Sequence, residues 1–213
     1  MLSFRKCLLF VFIAINSFGY SQENWELIQD KDEIFIYTRN EENNSFKAFK
    51  AQLEMNTSMH RFVYEIQNLE GFKDWGYKIK EVNLLERQGD TVQIYYAESK
   101  APFPFKNRDG IYKNTFRWNS ELETLSIPIS VLHEYLPEKE NNVRVKGIGY
   151  WEVTKLEENK LQVIFQMSID PGGGIPAWLS NIFITDSPYS TLINLKKLVE
   201  EPIEKNLHFN FLN

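Results

Sequence analysis

Three histidines, His60, His133 and His208, are the side chains of this 213-residue chain best suited to move protons or hold a metal near neutral pH. They lie far apart, none stands in a metal-ligand spacing, and the single cysteine, Cys7, falls in an N-terminal segment set apart below. No metal and no cofactor is expected. His60 and His208 fall in helical stretches and read as surface residues. His133 ends an apolar strand before Glu134, where a neutral imidazole can hydrogen-bond a ligand hydroxyl or, equally, a backbone carbonyl. Arg108 and Asp109 are adjacent in an extended stretch, so they point to opposite faces and bond to different partners. The plainer reading is a structural clamp on the preceding Pro-rich turn; the alternative is a guanidinium that grips a phosphate. The run Asp170-Pro171-Gly172-Gly173-Gly174 offers N–H groups at a helix start, but it carries no Lys, Ser or Thr and Pro176 removes a donor, so it reads as a plain turn. No nucleophile stands with a base. Ser187, Ser190 and Thr191 surround a helix start at Pro188 and read as caps, and Glu138, Glu140, Glu157 and Glu158 sit in turns where water solvates them.

The elements that position these residues follow from periodicity. Ile34 to Arg39 and Phe46 to Met55 read as strands joined by a polar loop, after a short apolar start at Trp25 to Ile28 and a polar turn at Asp30 to Asp32. Asn56 or Thr57 can cap a helix to about Asn68, in which Met59, Phe62, Val63 and Ile66 share a face. Gly71 to Trp75 reads as a short helical turn. Strands then follow at hairpin spacing: 80–87, 91–99, 110–118, 124–133, 143–155 and 161–169. From Ile175 to Ile203 apolar residues recur at helical spacing through Trp178, Leu179, Ile182, Leu192, Leu195 and Val199, so one long helix is expected to cover the sheet, running to about Leu207. Alternation turns Val92, Ile94 and Tyr96 inward, with Tyr112, Asn114, Phe116 and Trp118, then Leu125 to His133 at every second position, and Leu161 to Met167 likewise. Gly147 and Gly149 share the inward face of Val145 and Trp151; two missing side chains there either let the strand bend or leave room for something else.

Met1 to Ser21 is expected to be a signal peptide: Arg5 and Lys6 precede a short apolar run, Leu8 to Ile15, and Gly19-Tyr20-Ser21 supplies a small-x-small site with cleavage after Ser21. Cys7 precedes the apolar run, unlike the cysteine of a lipoprotein signal. The mature chain, residues 22–213, then has no cysteine and must rest on a packed core, which about 190 residues in one domain can supply. Removing Arg5 and Lys6 takes 24 basic residues to 22 against 29 acidic ones and the net charge from −5 to −7, which argues against nucleic acid as a partner. Aromatic residues reach 15%, as a dense core or a large apolar pocket requires.

Three passages resemble a known family. Trp25 followed by Asp32-Glu33-Ile34-Phe35-Ile36-Tyr37-Thr38-Arg39, the turn Pro102-Phe103-Pro104-Phe105-Lys106-Asn107-Arg108-Asp109, and Asp170-Pro171-Gly172-Gly173 through Ile175-Pro176-Ala177-Trp178-Leu179 are similar to signatures of the START lipid-transfer domains. These belong to the helix-grip (SRPBCC) superfamily, which includes the major birch-pollen allergen. The resemblance implies an α+β fold, a curved antiparallel sheet wrapped around a long C-terminal helix, and carriage of one hydrophobic molecule rather than catalysis. It also implies, for the steroid-carrying branch, an arginine six positions past the turn's own. Here that residue is Asn114, so no sterol assignment follows.

The expectation is a periplasmic or secreted monomer that binds a small hydrophobic molecule or lipid between sheet and helix, with transient membrane contact and no catalytic residue. The pocket lining expected is Ile94, Tyr96, Tyr112, Asn114, Phe116, Ile127, Ile129, His133, Gly147, Gly149 and Trp151 from the sheet, with Trp178, Ile182 and Leu192 from the helix. Two alternatives stand beside it: an interaction module without a cavity, and a small cyclase or hydrolase on the same fold with His133 as general base.

Overall fold

The computed structural model describes residues 24–41, 44–176, 179 and 182–213. The proposed signal segment and Trp178 lie outside these described residues. Strands β1 (Glu26–Lys31), β2 (Ile34–Glu41) and β3 (Asn44–Met55) come first, followed by helices α1 (Met59–Gln67) and α2 (Phe72–Trp75). Then come β4 (Ile79–Gln88), β5 (Val92–Ser99), β6 (Asn107–Thr115), β7 (Arg117–Asn119), β8 (Thr124–Val131), β9 (Asn142–Arg144), β10 (Lys146–Glu157) and β11 (Lys160–Asp170). A π-helical turn, Ile182–Asp186, leads into α3 (Ser187–Glu200), and a 3₁₀ turn spans Asn210–Leu212.

The described strands form one sheet in the order β1-β2-β3-β11-β10-β8-β6-β5-β4, with β7 beside β8 and β9 beside β6. Every pairing is antiparallel except β6 with β9. This is the expected α+β architecture. α3 crosses the concave side and buries Leu192, Leu195 and Val199 in one cluster with Ile34 and Ile36 of β2, Phe62 of α1, and Leu125 and Ile127 of β8. Removing such side chains from water is worth roughly 1.5–3 kcal/mol each, and this contact accounts for the fixed seat of the helix.

Three local readings change. β1 runs through Asp30 and Lys31 as a full strand, because the turn falls one step later, on Asp32 (φ 52°) and Glu33 (φ 60°). Two successive left-handed residues make the primed turn whose twist suits a hairpin. As an edge strand, β1 is exposed at almost every position and so carries no alternation to read. The cap of α1 is Ser58, whose side chain accepts from the Arg61 N–H at 3.2 Å. Asn56 and Thr57 instead reach the end of α3: the Asn56 N–H donates to the Glu200 carboxylate (2.9 Å) and the Thr57 hydroxyl to the Val199 carbonyl (2.9 Å).

The last helix is also shorter than its apolar pattern. Glu201 is extended (ψ 138°) because Pro202 follows it, and the helix stops there rather than near Leu207. At its other end Ile175 and Pro176 are not helical. The tail after Glu201 returns to the body, where Phe209, Phe211 and Leu212 pack on the core, the ring of Phe211 6.0 Å from that of Phe116. The Phe209 N–H donates to Nδ1 of His60 (3.2 Å), and the His60 and His208 rings stack at 5.5 Å. His60 is therefore a tail anchor, and His208 lies in the tail rather than in a helix.

This anchor is sensitive to pH. Partial burial, then the neighbouring His208, hold the His60 pKa below its usual value of 6.5, with a smaller opposing pull from Glu158. The unfolded chain therefore binds the His60 proton more readily than the folded one, so the stabilisation is complete above pH 6.5 and is lost as pH falls through the lower folded value. Once corrected for the base-catalysed intrinsic rate, which itself falls with pH, the protection of the Phe209 N–H from exchange is expected to drop between pH 7.5 and 5.5, and His60→Gln is expected to remove that drop.

Candidate ligand-binding cavity

Beneath the start of the last helix the packing opens into a cavity of about 180 Å³. Two aromatic groups face it. On one side Trp151 of β10 and Phe165 of β11 stack with ring centres 4.0 Å apart, and Phe49 of β3 meets Phe165 edge-on at 5.3 Å. On the other, Tyr95 of β5 and Tyr112 of β6 stack at 5.5 Å, with Phe72 of α2 edge-on to Tyr95 at 6.2 Å. Ile182, Ile184 and Leu179 form the roof, together with Thr191, whose hydroxyl accepts the Tyr77 N–H at 3.1 Å. Lys47, Lys78 and Lys100, all exposed, stand where the cavity opens to solvent, beside Pro102.

Of the residues expected in the lining, Tyr112, Asn114, Trp151 and Ile182 stand in the cavity wall. Ile94 and Tyr96 do not: they lie on the outer face of the sheet, in a second cluster with Ile111 and Leu132. The inner face of β5 is instead Tyr95, Ala97 and Ser99. β5 is buried on both sides, so alternation of apolar residues cannot choose between them. The deciding signal was cross-strand pairing. Tyr95 lies directly opposite Tyr112 and Gln93 opposite Asn114, and residues directly opposite share a face.

Phe116, Ile127, Ile129 and Leu192 are buried on the inner side but lie outside the cavity wall, in the core cluster that α3 shares with the sheet. Gly147 and Gly149 face inward, yet β11 takes their room. A Cβ on Gly149 would lie 2.1 Å from Sδ of Met167 and 2.4 Å from the Gln166 carbonyl oxygen; one on Gly147 would lie 2.3 Å from the Ser168 carbonyl oxygen. The glycines thus permit close approach, and Met167, lying over Gly149, supplies the wall. Other wall residues without a periodic signal are Trp75 and Phe72, carried on the four-residue helix α2.

His133 is outside the cavity. Its carbonyl accepts from Arg144 (3.2 Å), its Nε2 stands 3.5 Å from the exposed Glu138 carboxylate, and its Nδ1 is buried without a partner. Arg108 and Asp109 separate as expected. Asp109 holds Arg144 through two oxygens, at 2.8 and 3.2 Å, with both side chains only 1% exposed. Arg144 also donates to the carbonyls of His133, Leu136 and Pro137, so this ion pair straps residues 132–144 over the outer face of β5 and β6. Arg108 donates to the carbonyls of Lys106 (2.7 Å), Pro171 (3.2 Å) and Gly172 (3.3 Å), a clamp rather than a free guanidinium.

The Tyr95 and Tyr112 hydroxyls in the wall are neutral at any ordinary pH. Burial pushes Tyr112 up to about 12, with the Asp109 charge adding to it, and burial raises Tyr95 further. Both can donate hydrogen bonds to a guest. On the outer face burial alone would raise Glu98, but the Lys80 ammonium and Asn107 amide, each 2.7 Å from Oε1, outweigh it and hold the carboxyl down to about 2. Among the described residues no group of His, Cys, Asp and Glu is placed to hold a metal ion, and no helix is long and apolar enough to cross a membrane.

The START domain profile matches residues 15–196. The chain belongs to the START domain family. Over 166 residues this START domain is 28% identical to the phosphatidylcholine transfer protein of Mus musculus, covering 74% of the chain and 75% of the relative. It superposes on the crystal structure of a STAR-related lipid transfer protein fragment from Xanthomonas axonopodis with a TM-score of 0.75, at 27% identity and covering 83% of this chain and 99% of that one. Human StAR-related lipid transfer protein 5 shares the fold, with a TM-score of 0.73 at 14% identity over 85% and 88% of the two chains.

The Asp109–Arg144 pair sets a stability test. Arg144→Leu leaves a buried carboxylate without its counter-charge and is expected to cost about 3–5 kcal/mol in urea unfolding. Adding Asp109→Leu removes the stranded charge and is expected to recover most of the loss.

Proposed function

We propose that this START domain carries one lipid-like molecule in the cavity beneath its last helix, as a monomer, without catalysing a reaction on it. The observation that carries this reading is a hollow walled mainly by aromatic and aliphatic side chains, between sheet and helix, in a chain whose named relatives are lipid transfer proteins. Apolar burial at about 25 cal/mol per Å² supplies the affinity, and a few polar groups orient the guest. The placement of His133 outside the hollow supports a non-catalytic role.

At about 180 Å³ the hollow is smaller than the roughly 300–1,000 Å³ of ordinary small-molecule sites. Loading therefore involves outward movement of Leu179, Ile182 and Ile184 in the roof, which enlarges the space and admits the guest. Gly172, Gly173 and Gly174 are all left-handed (φ 66°, 56° and 28°), a conformation that leaves this hinge free of side chains. Phe103, 97% exposed in the loop beside the mouth, together with Lys78 and Lys100, suits brief contact with a membrane from which the guest is drawn. The signal-like pattern of the N-terminal segment supports exchange in the periplasm or outside the cell, with envelope lipids or other apolar compounds as cargo.

Native mass spectrometry of the protein purified from its own host is expected to show one apolar adduct that denaturation releases. Ala97→Phe, which projects a ring into the hollow from β5, is expected to lower adduct occupancy at least tenfold while melting within a few degrees of the wild type. Adduct-free wild-type protein that also takes up no lipid from vesicles would end the carrier reading.

A further inference from the structure

Polar side chains in and beside this cavity have hydrogen-bonding atoms that no protein group meets. Asn114 is 3% exposed with its Oδ1 unpartnered, and Trp75 is 5% exposed with its Nε1 unpartnered; both stand in the cavity wall. Gln93, 1% exposed, pairs with Asn114 across the β5–β6 ladder on the same face, and neither its Oε1 nor its Nε2 has a partner. Leaving such groups dry costs free energy each time, so their presence needs a reason. Their position supplies one. Along β6 the wall runs from Arg108, next to the mouth-lining turn at Pro171, to Asn114 six residues further, about 20 Å at the rise of a strand. The Asn114 amide therefore sits at the inner end of the hollow, with Gln93 beside it on β5.

Charge is distributed the opposite way. Lys47, Lys78 and Lys100 are exposed near the mouth, and Arg108 is spent on three carbonyls; the described wall contains no Asp or Glu. At the inner end a carboxylate or phosphate would meet neutral donors but no counter-charge, and would lie against the side-chain oxygen of Asn114, a costly burial. A hydroxyl or amide fits. It donates to the Asn114 oxygen and accepts from the Trp75 N–H or the Gln93 amide, closing the open partners on both sides.

Resting on the carrier reading, we infer that the cavity selects an apolar molecule that enters with an uncharged hydroxyl or amide group foremost, and discriminates against the same molecule bearing a buried anion. The site is built for a neutral head, and its unmet amides are the selecting element. A site that hydrogen-bonds a guest rejects guests that cannot return the bonds more strongly than an apolar site rejects a change of shape.

The test is titration calorimetry at pH 8 of the adduct-free full-length mature protein with dodecan-1-ol, dodecanoate and dodecyl phosphate, which share a chain and differ in head. Dodecan-1-ol is expected to bind at least tenfold more tightly than either anion. In the Gln93→Leu/Asn114→Leu protein its affinity is expected to fall at least tenfold, while the empty protein melts no lower than the wild type, because two amides that no protein group meets have been replaced by apolar groups. An anion that binds as tightly as the alcohol overturns the inference and leaves the carrier reading standing. So does a leucine pair that keeps the preference, or that melts more than 10 °C lower and thereby reveals the amides as structural. Failure of all three probes to bind overturns the inference, and uptake of lipid from vesicles then decides the carrier reading separately.

Discussion

Arg108 ties the two sides of the cavity together. It begins on β6, on the inner face, and its guanidinium reaches the carbonyls of Pro171 and Gly172, where β11 leaves the sheet for the last helix. Those carbonyls have no strand neighbour once the chain turns away, and the guanidinium satisfies them while the Lys106 carbonyl takes a third donor. The clamp fixes the point from which the roof departs. Burial lowers the Arg108 pKa, yet the group remains a cation, because a guanidinium holds its proton under any ordinary condition. With that exit point fixed, Gly172 is pressed against Val143, where a Cβ would lie 2.8 Å from a methyl carbon. The roof therefore leaves the sheet in one direction only.

The last helix is held unevenly. Its C-terminal end is bonded to α1 and the segment before it: Thr57 to the Val199 carbonyl, Asn56 to Glu200, and Arg61, which also pairs with the buried Glu65, to the Leu198 carbonyl at 2.8 Å. Further towards its start come Lys196 with Glu33 and Tyr189 with Asp32, both at the exposed β1–β2 turn, and the Thr191–Tyr77 bond. The helix interior is sealed by Leu192, Leu195 and Val199. The apolar seal is thus concentrated below the cavity, and the helix above it begins from a π-helical turn, a rare form that occurs mostly at functional sites.

Most of this architecture could be read from the residues. Strands with one wet face show clean alternation, and their limits fall within a few positions of those observed; β8 is the clearest, with Leu125, Ile127 and Ile129 inward as expected. The reading of β5 changed for a non-local reason. β5 is covered on both faces because the strap from Leu132 to Arg144 lies on its outer side, and that strap is held by an ion pair between residues 35 apart, which no local pattern reveals. Gln93 was the missed clue: a polar residue in a strand buried on both sides, lying opposite Asn114, marks the face with the unmet bonds. The helix end was written in Pro202, but the apolar spacing ran past it to Ile203 and outweighed it.

Gly149 and Met167 occupy one volume from two adjacent strands, and this restricts how such a hollow can change over generations. Enlarging residue 149 is blocked twice, by a thioether that could be trimmed and by the Gln166 carbonyl that could not. Position 149 is locked to glycine even after Met167 shrinks. The dimension of the chamber along this wall is therefore tuned through residue 167 alone, by an unbranched side chain that alters volume without disturbing the ladder. Divergence in guest size across descendants of this sequence should accordingly leave its mark on β11 and not on the glycine beside it.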